Sequence, residues 1–297
     1  MDALAAGDAN KALSFATPSW KKNTQDLVFL TDAALQAALA DTPITDIQVG
    51  GTGYQSYTGH ATIFPVCYRL GGTLVETEHG LVKTSSGYSI MDVAGSVRVT
   101  GLPPLPGYLL NGVPLPLESA VTSYGTYEVA LFPGRYELTN SNPIFDVDIN
   151  FVRTGSEHRD GSGEINIKPG AVQLSETGLE TIRHAAQQTM VDCLEEWSHG
   201  QSRWTYDFQE CDFLTNSGYE RELEAGGTWS PISELSALSV ATFEFDDRGR
   251  LNNSNPLDVK IALSSTYRDR PSSAVASITS ITVKFDDAGG ISVYLEG

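Results

Sequence analysis

Tyr54, Tyr57, Tyr68, Tyr88 and Asp92 are the residues of this chain whose types best fit a chemistry. An aspartate base beside tyrosyl hydroxyl donors is the equipment of isomerases that move a proton next to a carbonyl. Such a set works in a pocket between a curved sheet and its helices. The simpler reading makes the same residues core aromatics and surface tyrosines, because spacing alone does not say which face of a strand each one takes.

Other candidate sites fall short on composition or spacing. Of the five histidines, His60, His79 and His158 fall in loops or at strand ends. His184 lies on the polar side of a helix and His199 at its end. None has a Cys or His partner at metal-ligand spacing. Asp146-Val147-Asp148-Ile149-Asn150 alternates like the start of a calcium loop but lacks the required glycine and distal glutamate, so it reads as the solvated face of a strand. The Asp-Asp pairs at 246–247 and 286–287 read as solvated hairpins in the same way. Gly50-Gly51-Thr52-Gly53 has neither the Lys-Ser/Thr ending nor the following helix of a phosphate loop, and no Gly-x-Ser-x-Gly elbow occurs. Cys67 would need a base to act as a nucleophile, and His60 on the same strand need not face it. Neither metal nor cofactor is expected, and the chain reads as non-enzymatic.

The three cysteines are of two kinds. Cys67 sits in the strand-like run Ile63-Phe64-Pro65-Val66-Cys67-Tyr68 and reads as a small buried hydrophobe. Cys193 and Cys211 flank a loop. A disulfide between them is expected over two free thiols, and it would contribute about 3 kcal/mol.

With 297 residues, 40% of them apolar, the chain is long enough for two or three domains, each with its own core. Its net charge of −18 argues against nucleic acid, which needs clustered Lys and Arg, and against an anionic membrane surface. No apolar run approaches the roughly 20 residues of a bilayer span. No signal-peptide pattern opens the sequence. That fits a cytoplasmic protein, or one whose membrane anchor precedes Met1.

Three regions emerge along the chain. Residues 1–95 read as a helix over 2–16, a second helix capped by Thr31 and stopped before Pro43, and an antiparallel meander over Ile44–Ile90 turned by Gly71-Gly72. This is an α+β domain with helices on one face of a curved sheet. Residues 96–169 carry dense proline and short strands around Asn111-Gly112 and Pro133-Gly134, a small all-β module. Residues 170–297 open on a long amphipathic helix. Ser175 caps it, and Leu179, Ile182, Ala186, Met190, Cys193 and Trp197 share one face. Strands follow over Leu238–Phe245, Leu257–Tyr267, Ile278–Phe285 and Ile291–Leu295. Thr31-Asp32-Ala33-Ala34-Leu35 and Ser175-Glu176-Thr177-Gly178-Leu179 echo one another as helix starts, which leaves open both a structural repeat and two independent caps.

Several of these motifs occur together in one family. Phe29-Leu30-Thr31-Asp32, Pro43-Ile44-Thr45-Asp46-Ile47 and Tyr68-Arg69-Leu70-Gly71-Gly72 are followed by Leu110-Asn111-Gly112-Val113 and Leu131-Phe132-Pro133-Gly134-Arg135-Tyr136-Glu137-Leu138. Leu174-Ser175-Glu176 then leads through Cys193-Leu194 to Cys211-Asp212-Phe213. The chain resembles the ectodomains of anchored extracytoplasmic envelope proteins of high-GC Gram-positive bacteria; Asp212 stands where that family has proline. The resemblance implies two cystatin-like rolls, shaped like nuclear transport factor two, separated by the β module. It also implies an extracytoplasmic protein, anchored to the cell membrane or secreted, that touches the membrane only through an anchor outside this chain. It brings no catalytic residues. The expected role is to present binding or spacer domains to a cell-wall component or envelope protein. The alternative is a small-molecule-binding or isomerase-like roll.

Overall fold

Gly7 sets the shape of the N-terminus. In the computed structural model the single helix expected over residues 2–16 is two, α1 (Asp2–Ala5) and α2 (Ala9–Ser14). Gly7 takes φ +71°, a left-handed conformation that breaks the first helix. Asp8 then caps the second, accepting from the Lys11 amide at 2.8 Å. The structure describes all residues except 18–27, 57–58, 86, 92, 116–119, 123–125, 156–162, 169, 200–210, 216–226, 232–237, 239–240, 247–249, 268–269, 287–288 and 297.

The protein is α+β, with many strands and few helices. Helix α3 (Asp32–Leu39) follows the Thr31 cap. The strands up to residue 100 are β1 (Ile44–Val49), β2 (Tyr54–Gln55), β3 (Thr62–Leu70), β4 (Thr73–Thr84), β5 (Gly87–Ile90) and β6 (Gly95–Thr100). Next come β7 (Tyr108–Leu110), β8 (Val113–Pro114), β9 (Ala120–Thr122), β10 (Thr126–Leu131), β11 (Gly134–Asn140), β12 (Phe145–Val147), β13 (Ile149–Arg153), β14 (Gly163–Asn166) and β15 (Val172–Leu174). After α4 (Glu176–Ser198) and the short α5 (Asp212–Thr215) lie β16 (Thr228–Pro231), β17 (Phe243–Phe245), β18 (Leu251–Asn253), β19 (Val259–Tyr267), β20 (Arg270–Ile278), β21 (Ser280–Phe285) and β22 (Ile291–Glu296). Among the described residues no helix is long and apolar enough to cross a membrane.

The chain divides into two compact units. The first comprises Met1–Leu102, Gly107–Ser141 and Val147–Ala171; the second comprises Pro103–Pro106, Asn142–Asp146 and Val172–Gly297. The first unit therefore takes in residues 1–95 and most of 96–169.

Three sheets build the first unit. One runs β1-β3-β4-β5 with β2 on β3, a second β14-β6-β10-β9, and a third β13-β11-β7-β8. Strand β14 is parallel to β6, and the ladders around it are antiparallel. A bulge between Thr45 and Gln48 interrupts β1, where Asp46 takes φ +52°. Leu35, Ile44, Val66, Tyr68, Leu70 and Val75 share one core with Ala130 and Phe132. Gly134 lies against α3: a Cβ there would stand 2.6 Å from the Ala38 Cβ, so only glycine admits this approach.

The second unit packs α4 on β22 and β16. The buried face of α4 is Gly178, Ile182, Ala186, Met190, Cys193, Leu194 and Trp197, with the expected Leu179 only half-buried. Its core includes Phe213, Leu238, Val259, Ile261, Ile278, Val283 and Leu295. The sheets run β16-β19-β20 and β17-β18-β21-β22, and β12 pairs β15. The described ends of the β17–β18 and β21–β22 hairpins are held alike. The Asp246 and Asp286 carboxylates each accept from the amide four residues on, that of Arg250 (2.9 Å) and that of Gly290 (2.6 Å). Phe145 sits against both hairpins, 6.0 Å from Phe245 and 4.9 Å from Phe285 between centroids.

Candidate functional site

Among the described residues, the first unit does not bring Tyr54 and Tyr68 of the expected set together. Tyr54 on β2 pairs with Ile63, is 48% exposed, and donates to the Glu78 carboxylate at 2.7 Å. Tyr68 on β3 is 1% exposed and donates to the Thr154 carbonyl. Strand alternation puts Tyr68 and Ile63 on opposite faces, so Tyr54 and Tyr68 are separated by the sheet itself. Tyr88 on β5 pairs with Lys83 and is 67% exposed. Tyr57 and Asp92 lie outside the described residues.

The buried face of the β3–β4 ladder instead holds a polar seam. Val66 pairs with Thr77 and Tyr68 with Val75, so Thr77 and Tyr68 are diagonal neighbours on one face. Thr77 Oγ1 donates to the Gly155 carbonyl at 3.0 Å, one residue beyond the carbonyl that Tyr68 holds. Gly155 takes φ +80°, and a Cβ there would stand 3.3 Å from Tyr68 Oη. The backbone beyond β13 is thus stitched across β3 and β4 by two hydroxyls.

Arg153, the last residue of β13, is buried. Tyr136 on β11 is buried too, donates to the Phe132 carbonyl at 2.9 Å and stacks on Phe151. Burial drives the Tyr136 phenol well above its ordinary value, with the positive Arg153 opposing. Tyr108 is pushed up as strongly by burial, with the Tyr127 phenol adding to it. Burial pushes Tyr127 up to about 12. Sequence reasoning missed this group; the signal it left is the run Phe132-Pro133-Gly134-Arg135-Tyr136, whose tyrosine bonds back across the turn.

In the second unit Cys193 and Cys211 form a disulfide, with Cα atoms 5.9 Å apart and a sequence separation of 18. Both cysteines are buried among core residues. Cys67 is a free thiol, half-buried, paired with Glu76 and Gln48 across its ladders. His60, the proposed base for that thiol, lies exposed before β3 begins.

Of the remaining polar candidates, those on α4 and around Asp148 are solvated or serve a helix end. His184 is exposed on α4; His199 is exposed, with Nδ1 2.8 Å from the Glu195 carbonyl at the helix end. His79 is half-buried opposite Phe64, and His158 lies outside the described residues. Asp146, Asp148 and Asn150 are all exposed, although the single strand expected over 145–152 breaks at Asp148 between β12 and β13. Among the described residues no group of three or more His, Cys, Asp or Glu is placed to hold a metal ion.

Compared with known proteins, the chain matches no family model, no curated protein and no solved structure.

Proposed function

We propose that this chain works outside the cytoplasm as a non-enzymatic cell-envelope protein that presents its domains to a partner or holds them away from the membrane. The observation that carries the reading is the Cys193–Cys211 bridge, buried in the core of the second unit. A bridge of this kind persists in oxidising compartments and is rare where thiol reductants act. The envelope-protein motifs of the sequence supply the partner class, a cell-wall component or another envelope protein. On this reading the helix-plus-sheet parts are cystatin-like rolls, and the membrane is reached through an anchor outside the chain. The competing isomerase-like reading requires tyrosyl hydroxyls converging on one carboxylate. Tyr54, bound to Glu78 at the surface, and Tyr68, bound to a backbone carbonyl in the core, do not favour it.

Retention on purified cell-wall sacculi tests the proposal. The purified chain should sediment with sacculi and stay in solution in a peptidoglycan-free control. Equal recovery from the supernatant in both would remove the cell wall as the partner.

A further inference from the structure

Strand β20 forms one edge of the β16-β19-β20 sheet in the second unit. It pairs with β19 without a bulge from Arg270 to Ile278, and among the described residues no strand lies on its other side. The register says which backbone groups face outward. Pro231 of β16 stands opposite Ile261 and has no N–H to give, so Ile261 turns its own N–H and carbonyl toward Ala276 of β20. Bonding alternates along the strand, so Ser273, Val275 and Ser277 turn theirs to the free edge. Ala276 and Ile278 are buried in the same core as Phe213, whereas Ser273 and Val275 are exposed. At 45% exposure, Val275 is the most open large apolar side chain of the second unit among the described residues.

Proteins blunt a free edge with a charge, a proline, a bulge or a very short strand. Strand β1 carries a bulge, β16 ends in Pro231 and β17 spans three residues. The run Ser272–Ile278 of β20 has no charge, proline or bulge. It is also self-complementary about Val275. Antiparallel contact with a second copy sets Val275 against Val275 of that copy and Ser273 against its Ser277, so each outward N–H there meets an outward carbonyl. The contact covers the exposed valine, and no like charges oppose one another along this run despite the net charge of −18. The seam ends cleanly as well. Where β22 takes over the same edge, Thr279 gives its N–H to the Glu296 carbonyl. The residue of the second copy that falls opposite Thr279 is Pro271, which has no N–H to leave unpaired. We infer that a second copy of this chain docks here, β20 against β20 across a two-fold axis at Val275, joining two β16-β19-β20 sheets into one. This goes beyond the envelope role and does not depend on it.

Analytical ultracentrifugation of the full chain beside Val275→Lys tests it. The native chain should sediment as a dimer that dissociates on dilution. The substitution removes the valine contact and sets like charges directly opposite each other at the axis, so the dissociation constant should rise about tenfold or more. A native chain that stays monomeric up to about 100 μM overturns the inference. So does a folded V275K protein that dimerises as tightly as its parent. If V275K does not fold, hydrogen exchange of the native chain decides. Protection of the Ser273, Val275 and Ser277 amides should fall as the dimer is diluted to monomer, while that of the Ala276 amide, bonded to β19, holds. Protection that falls at none of the three rejects the β20 seam.

Discussion

Replacing Gly178 with alanine tests how the second unit is locked. In the middle of an exposed helix this change stabilises by about 1 kcal/mol. Here the sign should reverse. A Cβ on Gly178 would stand 2.1 Å from the Ile144 carbonyl oxygen and 2.9 Å from its carbon. That carbonyl is fixed, because it accepts from the Ser175 amide at 2.9 Å, and the neighbouring Pro143 carbonyl accepts from Ser175 Oγ at 2.6 Å. The clash is with backbone, so no rotamer change relieves it. To reach an ordinary contact of 3.4 Å the start of α4 must back away by about 1.3 Å, stretching both Ser175 bonds. Overpacking costs about 1–3 kcal/mol, and weakening two hydrogen bonds costs roughly 1 kcal/mol each. After the propensity gain is subtracted, the net loss is about 3 kcal/mol, a fall in Tm of roughly 6–12 °C. Thermal and urea unfolding of G178A beside the parent protein read this directly. A variant as stable as its parent, or more so, would refute the packing described for α4.

Other consequences are open to the same measurements. Tyr68→Phe removes the bond to the Thr154 carbonyl and should destabilise by about 1 kcal/mol; an unchanged urea midpoint would deny that stitch any role. Residues 1–95 alone should show no cooperative unfolding, since Ala130 and Phe132 belong to their core and Gly134 packs on Ala38; a sharp thermal transition from that fragment would contradict the first unit as drawn. Stability should also fall in alkali. Tyr108, Tyr127 and Tyr136 all have raised folded-state values, so above the unfolded value of 10 the unfolded chain releases protons that the folded chain keeps. Their contribution is complete below pH 10 and declines as pH rises toward about 12 for Tyr127, by up to about 1.4 kcal/mol per pH unit for each phenol. Urea midpoints that do not move between pH 9 and pH 11 would exclude this burial.

What could be read from the sequence was the chemistry contained within a few residues. Thr31 and Ser175 cap their helices as their positions imply, accepting from Ala34 and Gly178 amides. Gly71-Gly72 and Asn111-Gly112 turn their hairpins because the backbone there takes positive φ. The cysteines that flank a loop are bridged. What escaped depends on partners distant in sequence. Strand β20 is built from Ser and Ala with little apolar alternation (Arg270–Ile278), and its nine-residue pairing with β19 holds it extended. The break at Asp148 follows from two sheets claiming one stretch, β12 joining β15 and β13 joining β11. The Tyr68–Thr154 contact spans 86 residues, and no local pattern announces it. For the tyrosines near Asp92, side-chain direction was the missing quantity, and register supplied it for Tyr54 and Tyr68.

The most direct test of the envelope proposal is the state of the cysteines in the protein as its own cells make it. Thiols would be alkylated before lysis and the unreduced peptides mapped by mass spectrometry. The proposal predicts one linked peptide pair joining Cys193 to Cys211, with Cys67 alkylated. Alkylation of all three cysteines as free thiols would contradict it.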